Sequence, residues 1–309
     1  MQNSSINKTG ILLETGTNEI EIMEFTINNN LYGINVAKVR EIIMSDTVKP
    51  MPHTHSAVEG IFKPRDILLT VVDLPMYLTG NPSKKEPKDL FIITNFNNLY
   101  IAFRVHTVEG ISRISWEDIQ KPDKTVTGGD DGVATGIAQC KGRLVTVLDF
   151  EKIVAEIAPE TGIQLSEIDK MGERERNESP IVLAEDSILL SKMIKEALTK
   201  AGYRNIIKFD NGQEAWDYLK TLKSSELEQK ASLIITDIEM PKMDGHRLTK
   251  LVKTNDILKG IPIVIFSSLI NPEMEIKGKQ LGADEQLSKP EIGHLVEVID
   301  HLLLESKNK

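Results

Sequence analysis

The C-terminal part of the chain contains short runs of consecutive apolar residues, which are typical of strands buried on both faces of a parallel sheet. Three such runs, at residues 181–184, 233–236 and 263–266, are predicted as strands, and so is the short segment 285–287. After the second, Pro241 and Gly245 break regular structure, and apolar residues at Leu248, Leu251 and Val252 then recur at helical spacing. The pattern predicts strand, loop and helix in succession.

Each predicted strand is followed by polar residues at its carboxyl end. Because parallel strands bring these ends to one edge of a sheet, and ligands bind there in open α/β sheets, we expect one pocket. The residues expected in it are Glu185, Asp186, Asp237, Ser267 and Lys289.

These residue types are suited to binding a cation and to accepting a phosphoryl group. Crowded carboxylates repel one another unless a cation is present, and Mg²⁺ is satisfied by a few carboxylates, a carbonyl and waters. A carboxylate can also attack phosphorus and form an aspartyl phosphate, whose oxygens need a cation, a Lys charge and a hydroxyl donor.

With these motifs, residues 181–305 resemble a response-regulator receiver domain, an α/β flavodoxin-like (βα)5 fold. The matching segments include Glu185-Asp186, Asp237 before Met240-Pro241, Met243-Asp244-Gly245, Ser267, Gly282-Ala283-Asp284 and Lys289-Pro290. The resemblance implies that Asp237 accepts phosphate from a histidine kinase, and that Glu185, Asp186, Asp237 and the Glu239 carbonyl hold Mg²⁺. It further implies that Ser267 and Lys289 act on the phosphoryl group, and that the Lys289-Pro290 peptide is cis.

Gln286 departs from the family pattern, which usually has an aromatic residue at this position. Two interpretations are open: an altered switch, or an ordinary surface strand residue, which the general exposure of Gln favours.

Residues 19–154 show mostly β patterning, with predicted hairpins across Asn28-Asn29-Asn30 and Asn95-Phe96-Asn97-Asn98 and further strands at 67–74 and 144–150. An internal repeat organises this region. Asn29-Asn30-Leu31-Tyr32 recurs as Asn97-Asn98-Leu99-Tyr100, and Val71-Val72-Asp73-Leu74 matches Val147-Leu148-Asp149-Phe150. The repeat predicts two similar β units that share a core.

Residues 19–158 are similar to a CheW chemotaxis coupling domain, on motifs that include Glu24-Phe25-Thr26, Tyr32-Gly33-Ile34, Val58-Glu59-Gly60-Ile61 and Glu151-Lys152. That resemblance implies two SH3-like five-stranded barrels and contacts with chemoreceptors and the histidine kinase CheA. It places Arg65, Val39 and Ile42 as candidate partner-binding residues. The alternatives are an exposed Arg on a tight turn, and core packing for Val39 and Ile42.

The length of 309 residues favours more than one domain. We expect a flexible tail at 1–18, a coupling domain at 19–158, a charged linker at 159–179 that is helical near 164–171, and a receiver domain at 180–309. We expect the linker charges only to solvate it.

A net charge of −9 argues against nucleic acid or an anionic membrane as partner. No apolar run reaches the roughly 18 residues that cross a bilayer, so we expect a cytoplasmic protein without direct membrane insertion, associated with chemoreceptor arrays. A single cysteine, Cys140, fits a reducing compartment.

A coupling domain followed by a receiver resembles the arrangement of the CheV family. We therefore expect a chemotaxis adaptor, regulated by phosphorylation of Asp237, that catalyses only its own phosphorylation and dephosphorylation. Two alternatives are a phosphate sink that drains phosphoryl groups from the kinase, and a DNA-binding regulator, against which the acidic charge argues.

Overall fold

The computed structural model describes residues 18–96, 99–121 and 132–307. Of the predicted turn at residues 95–98, Asn95 and Phe96 continue a strand and so correct that prediction, while Asn97 and Asn98 lie outside the described residues. All of the predicted tail except Asn18 also lies outside them. Among the described helices, none has the length and apolar character needed to cross a membrane.

Ten strands of the described residues form two five-stranded sheets in the N-terminal part. They are β1 (Glu19–Ile27), β2 (Asn30–Asn35), β3 (Val39–Met44), β4 (Val58–Phe62), β5 (Leu69–Asp73), β6 (Leu90–Phe96), β7 (Leu99–Val105), β8 (Thr107–Ser115), β9 (Ala134–Cys140) and β10 (Arg143–Leu148). The first sheet has the order β8-β1-β2-β10-β9, and the second has β3-β6-β7-β5-β4.

The two sheets have equivalent topology, as the internal repeat predicts. The β1–β2 hairpin in one sheet corresponds to the β6–β7 hairpin in the other. The second strand of each hairpin pairs in parallel with a strand from outside the hairpin, β2 with the later strand β10 and β7 with the earlier strand β5. The strand that follows each hairpin, β3 or β8, joins the opposite sheet. This exchange ties the two units into one domain.

Two aspartates explain the second part of the repeat. Asp73 is the last residue of β5 and Asp149 directly follows β10, and each accepts a hydrogen bond from a backbone N–H three residues on, at 2.9 Å and 3.0 Å. They therefore cap two helices, α1 (Leu74–Thr79) and α2 (Phe150–Ile157). The predicted strand at 144–150 was too long, because β10 ends at Leu148 and the cap starts a helix.

The largest hydrophobic cluster of this domain lies between the two sheets, and each sheet has a smaller cluster of its own. Phe150 of α2 packs edge-on against Phe103 of one sheet, with ring centroids 4.8 Å apart, and against Phe25 of the other, at 6.3 Å. All three side chains are fully buried. The residue that follows Phe150, Glu151, therefore extends from a helix that is fixed in the centre of the domain.

The C-terminal part is a parallel five-stranded sheet of the order β12-β11-β13-β14-β15. Its strands are β11 (Ile181–Ala184), β12 (Ile206–Phe209), β13 (Leu233–Thr236), β14 (Ile263–Ser267) and β15 (Glu285–Ser288). The helices that the structure describes here, including two short ones that precede β11 and β13, are α3 (Ser166–Asp169), α4 (Ile188–Lys200), α5 (Gly212–Leu219), α6 (Leu227–Lys230), α7 (Gly245–Thr254), α8 (Pro272–Leu281) and α9 (Ile292–Lys307). This is the predicted doubly wound fold.

The segment between the two folds packs on the C-terminal domain. Ile163 and Ile168 are buried in the cluster beneath α4 and α9. Glu167 accepts a hydrogen bond from the Gly293 N–H at 2.9 Å and so caps the first turn of α9, and Arg174 pairs with Asp300. The expectation that charges here only solvate the segment is wrong, and the predicted helix is the short α3.

Candidate phosphoacceptor and metal site

Asp237 lies at the carboxyl end of β13, where the strand order of the parallel sheet reverses. Its backbone N–H bonds to the Ala184 carbonyl at 3.0 Å, which continues the β11–β13 pairing by one residue. One carboxylate oxygen, Oδ1, accepts the Ile238 N–H at 2.7 Å. The residue is only 4% exposed, so its charge acts in a medium of low dielectric.

Lys289, which follows β15, supplies the balancing positive charge. Its Nζ lies 3.0 Å from Asp237 Oδ2 and 2.7 Å from Glu185 Oε2. Burial alone would lower the pKa of Lys289, but Asp237 and Glu185 raise that pKa well above its usual value. Lys289 is therefore charged at neutral pH.

The three predicted metal ligands converge as expected. Glu185, Asp186 and Asp237 each offer an oxygen, and these oxygens lie within 4.8 Å of one another. Burial raises the pKa of Glu185 to about 8, with the Asp237 charge adding to the effect and Lys289 opposing it. Burial and Glu185 also raise the pKa of Asp186 well above its usual value. A divalent cation would relieve this crowding, so the residues present fit Mg²⁺.

The loop after Asp237 is held close to the site by a glycine. Gly245 begins α7, and its N–H bonds to the Ile238 carbonyl at 3.0 Å. A Cβ atom at this position would lie 1.9 Å from the Asp237 carbonyl oxygen and 2.9 Å from Thr236 Oγ1. The Met-Asp-Gly motif therefore allows a close approach of α7 to the backbone of the phosphoacceptor.

Ser267 stands at the same edge of the sheet, at the end of β14. Its carbonyl accepts the Lys289 N–H at 3.2 Å, and its fully buried hydroxyl accepts the Leu269 N–H at 3.3 Å. The Lys289-Pro290 peptide is cis, as predicted. All five residues predicted for the pocket thus lie at one sheet edge.

Residues of the N-terminal domain also reach this edge, which sequence reasoning missed. Lys38 forms an ion pair with the Glu239 carboxylate, and Asn35 Nδ2 donates to Glu239 Oε1 at 2.6 Å. Glu151 Oε2 lies 3.8 Å from Lys289 Nζ. The side chain of Glu239, expected to serve only through its carbonyl, thus contacts the other domain.

Hydrogen bonds from the N-terminal domain to the backbone of the loop after Asp237 extend this interface. The Lys242 N–H donates to the Trp116 carbonyl at 3.0 Å. Asn18 accepts the Asp244 N–H at 2.8 Å and donates to the Lys242 carbonyl, also at 2.8 Å. Asn18 is only 5% exposed, so this residue of the predicted tail is anchored.

Comparison with known proteins agrees with both resemblances. Residues 21–158 match the model of the CheW-like domain, and residues 181–300 match that of the response regulator receiver domain. The chain is 30% identical over 302 residues to chemotaxis protein CheV3 of Helicobacter pylori, an alignment that covers 92% of this chain and 95% of the relative. This chain belongs to the CheV family. CheV2 and CheV1 of the same organism are 28% and 27% identical and cover 88% and 93% of this chain, with 90% and 94% of their own lengths aligned.

A CheV protein is a chemotaxis coupling adaptor with a phosphorylatable receiver domain, which is the function that both domains of this chain support. We accordingly call the N-terminal ten-stranded fold the coupling domain and the C-terminal α/β fold the receiver.

The structure refines the interpretation of Gln286. Its side chain is half-buried, donates from Nε2 to the Glu275 carbonyl at 2.8 Å, and packs over Gly278 of α8. A Cβ at Gly278 would lie 2.1 Å from Gln286 Oε1. Gln286 therefore binds the neighbouring helix and is not simply a surface strand residue.

The candidate partner-binding residues of the coupling domain differ in exposure. Arg65 is exposed in the loop between β4 and β5, and Val39 packs against the domain core. Ile42 is 38% exposed, so the interpretation of Ile42 as a core residue is wrong. Strand β3 is at the edge of its sheet, and its exposed and half-buried residues alternate because successive side chains of a strand point to opposite faces.

Proposed function

We propose that this chain couples chemoreceptors to the histidine kinase CheA and that phosphorylation of Asp237 tunes this coupling. One observation carries the proposal: the Asp237 carboxylate lies 3.0 Å from Lys289 Nζ in an acidic pocket that faces the coupling domain. A modification of Asp237 is therefore adjacent to the domain whose contacts it would change.

The chemistry assigned to Asp237 is phosphoryl transfer. A carboxylate oxygen of Asp237 forms a bond to the phosphorus of a phosphohistidine donor while the P–N bond breaks, and the imidazole leaves with the P–N electron pair and takes up a proton. Lys289 neutralises charge on the transferred oxygens, and Ser267 supplies a hydroxyl donor. Water later cleaves the acyl phosphate, which restores the Asp237 carboxylate and releases inorganic phosphate. In this scheme the chain acts only on the phosphoryl group that it carries.

Mg²⁺ is the proposed cofactor of this site. Glu185, Asp186 and Asp237 would hold it through carboxylate oxygens and Glu239 through its backbone carbonyl. The ion supplies positive charge to the phosphoryl oxygens during transfer.

The proposed partners are CheA and methyl-accepting chemoreceptors, with Arg65, Val39 and Ile42 as contacts. Exposure of Arg65 and Ile42 supports this for two of the three residues. We place the coupling domain at 19–158, the linker at 159–179 and the receiver at 180–309, and the protein in cytoplasmic receptor arrays.

The test of this proposal is intact mass after incubation with acetyl phosphate and Mg²⁺. We expect a single phosphoryl addition that requires Mg²⁺ and is lost in Asp237→Asn. Phosphorylation of Asp237→Asn at the rate of the natural chain would contradict the assignment.

A further inference from the structure

Charged side chains alternate across the boundary between the two domains, directly over the phosphoacceptor. Lys38 of the coupling domain lies between Glu239 of the receiver and Glu151 of its own domain, at 3.2 Å from the latter. Lys289 of the receiver lies between Asp237 and Glu151, 3.8 Å from Glu151. Two lysines and three carboxylates thus form one ionic chain.

These groups are almost completely removed from water. The side chains of Lys38, Glu151 and Glu239 are between 7% and 11% exposed. Burial alone would raise the pKa of Glu151, but Lys38 and Lys289 together hold that pKa at about 2. In such a medium the pairing depends strongly on charge balance, because an unpaired buried charge is costly.

We propose that Lys38 and Glu151 form a latch that holds the coupling domain closed over Asp237, and that a phosphoryl group on Asp237 opens it. This inference rests on the proposed phosphorylation of Asp237 and describes how that modification is regulated and transmitted.

Space is the first argument for opening. The cavity between the domains, lined by Lys38, Glu151, Asp237 and Glu239 among other residues, has a volume of about 20 Å³. This is room for about one water molecule. A phosphoryl group, together with Mg²⁺, would bring several oxygen atoms into this space, which is more than the cavity holds in the closed arrangement.

Charge is the second argument. A phosphoryl group carries about two negative charges and would replace the single charge of the Asp237 carboxylate. The group draws Lys289 toward its own oxygens and away from Glu151. Glu151 then keeps only Lys38 of its two cations, so the ion pair between Glu151 and Lys289 that joins the coupling domain to the receiver is lost.

Two backbone amides of the receiver report directly on closure. The N–H groups of Lys242 and Asp244 donate to acceptors of the opposite side of the interface, Trp116 and Asn18, at 3.0 Å and 2.8 Å. Opening of the latch removes both acceptors. Hydrogen exchange of the peptide that contains these amides therefore measures the open population in the full chain.

The first arm compares unphosphorylated proteins. Lys38→Gln removes the central charge, and we expect exchange at residues 242–244 to accelerate about tenfold or more, since it leaves Glu239 without its ion-pair partner and Glu151 with Lys289 alone. The matched control is Lys88→Gln, which breaks an exposed ion pair with Glu86 within the coupling domain, at 3.1 Å. Equal exchange in Lys38→Gln and Lys88→Gln would overturn the latch.

A second variant keeps the test valid if Lys38→Gln fails to fold. Asn18 has φ +67°, a conformation that glycine adopts readily, so Asn18→Gly removes the side-chain contacts across the interface without backbone strain. We expect faster exchange at the Lys242 amide in this variant as well. Unchanged exchange at the Lys242 amide would show that the contacts between the domains do not protect this amide, and would overturn its use as a measure of closure.

The second arm adds acetyl phosphate and Mg²⁺ and follows intact mass together with exchange. We expect the natural chain to exchange faster at residues 242–244 once it is phosphorylated, and Lys38→Gln to accept phosphate severalfold faster. A phosphorylated natural chain with unchanged exchange would overturn the latch and leave the proposed function intact. If no protein accepted phosphate, the proposed function would fail, while the first arm would still decide whether Lys38 holds the domains closed.

Discussion

Lys289 Nζ lies 3.0 Å from Oδ2 of Asp237, so the cation predicted to act on the phosphoryl group is already bound to the carboxylate that would receive it. The same Nζ also binds Glu185 at 2.7 Å. Lys289 therefore bridges the two carboxylates at the position where a phosphoryl group on Asp237 would be added.

Replacement of Lys289 by Met should destabilise the receiver when Mg²⁺ is absent. We expect a loss of about 3 kcal/mol, because the substitution leaves buried carboxylates without their cation. Thermal unfolding should show a lower Tm, and Mg²⁺ should restore part of it. The control is Lys259→Met, at a position whose side chain is 59% exposed. If both variants had the same Tm, the pairing would contribute nothing to stability.

Mg²⁺ affinity should rise with pH across neutrality. Burial raises the pKa of Glu185 to about 8, so much of this carboxyl is protonated at pH 7 and must lose its proton before it binds a cation. We expect affinity to increase between pH 6 and pH 9, by up to about tenfold per unit. Titration calorimetry in buffers of different ionisation enthalpy would measure the released proton.

The matched control for this pH dependence is Glu185→Gln, which has no proton to release at this position. We expect weaker Mg²⁺ binding and a shallower pH profile in this variant. Proton release that is zero in the natural chain, or equal in both proteins, would contradict the assignment of the raised pKa.

Gly245→Ala should disrupt the phosphoacceptor loop. The added Cβ would lie 1.9 Å from the Asp237 carbonyl oxygen, so α7 or β13 must move. We expect a loss of about 1–3 kcal/mol and slower phosphorylation. Gly260→Ala is the control, because a Cβ there meets no atom of the described residues within 4 Å. Unchanged phosphorylation and stability in Gly245→Ala would show that the close approach is unnecessary.

Much of the receiver site was predictable because its residues follow apolar strands in a fixed order. Parallel strands place Asp237, Ser267 and Lys289 at one edge whatever the details of packing. The strand missed was β12, whose four residues are all half-buried. It lies at the edge of the sheet, where the apolar pattern is weak.

The contribution of the coupling domain to the site was not predictable by the same reasoning. Lys38 and Glu151 lie far from Asp237 in sequence, and each looks like an ordinary charged surface residue in its local pattern. Lys38 and Glu151 become buried only when the folded coupling domain packs against the folded receiver. Hydrophobic periodicity and turn motifs predict elements within one domain and do not predict contacts between two domains. The capping roles of Asp73 and Asp149 were visible only as a repeat, whose physical reason is the start of a helix after each strand.

The most direct test of the central claim is the receptor-controlled fraction of CheA activity in receptor-containing membranes, with this chain as the coupling protein. The measurement compares the natural chain and Asp237→Asn, each with and without acetyl phosphate. We predict that phosphorylation changes this fraction for the natural chain and leaves it unchanged for Asp237→Asn. An unchanged fraction in both proteins, with only the total phosphoryl flux altered by the natural chain, would contradict regulated coupling and indicate a phosphate sink.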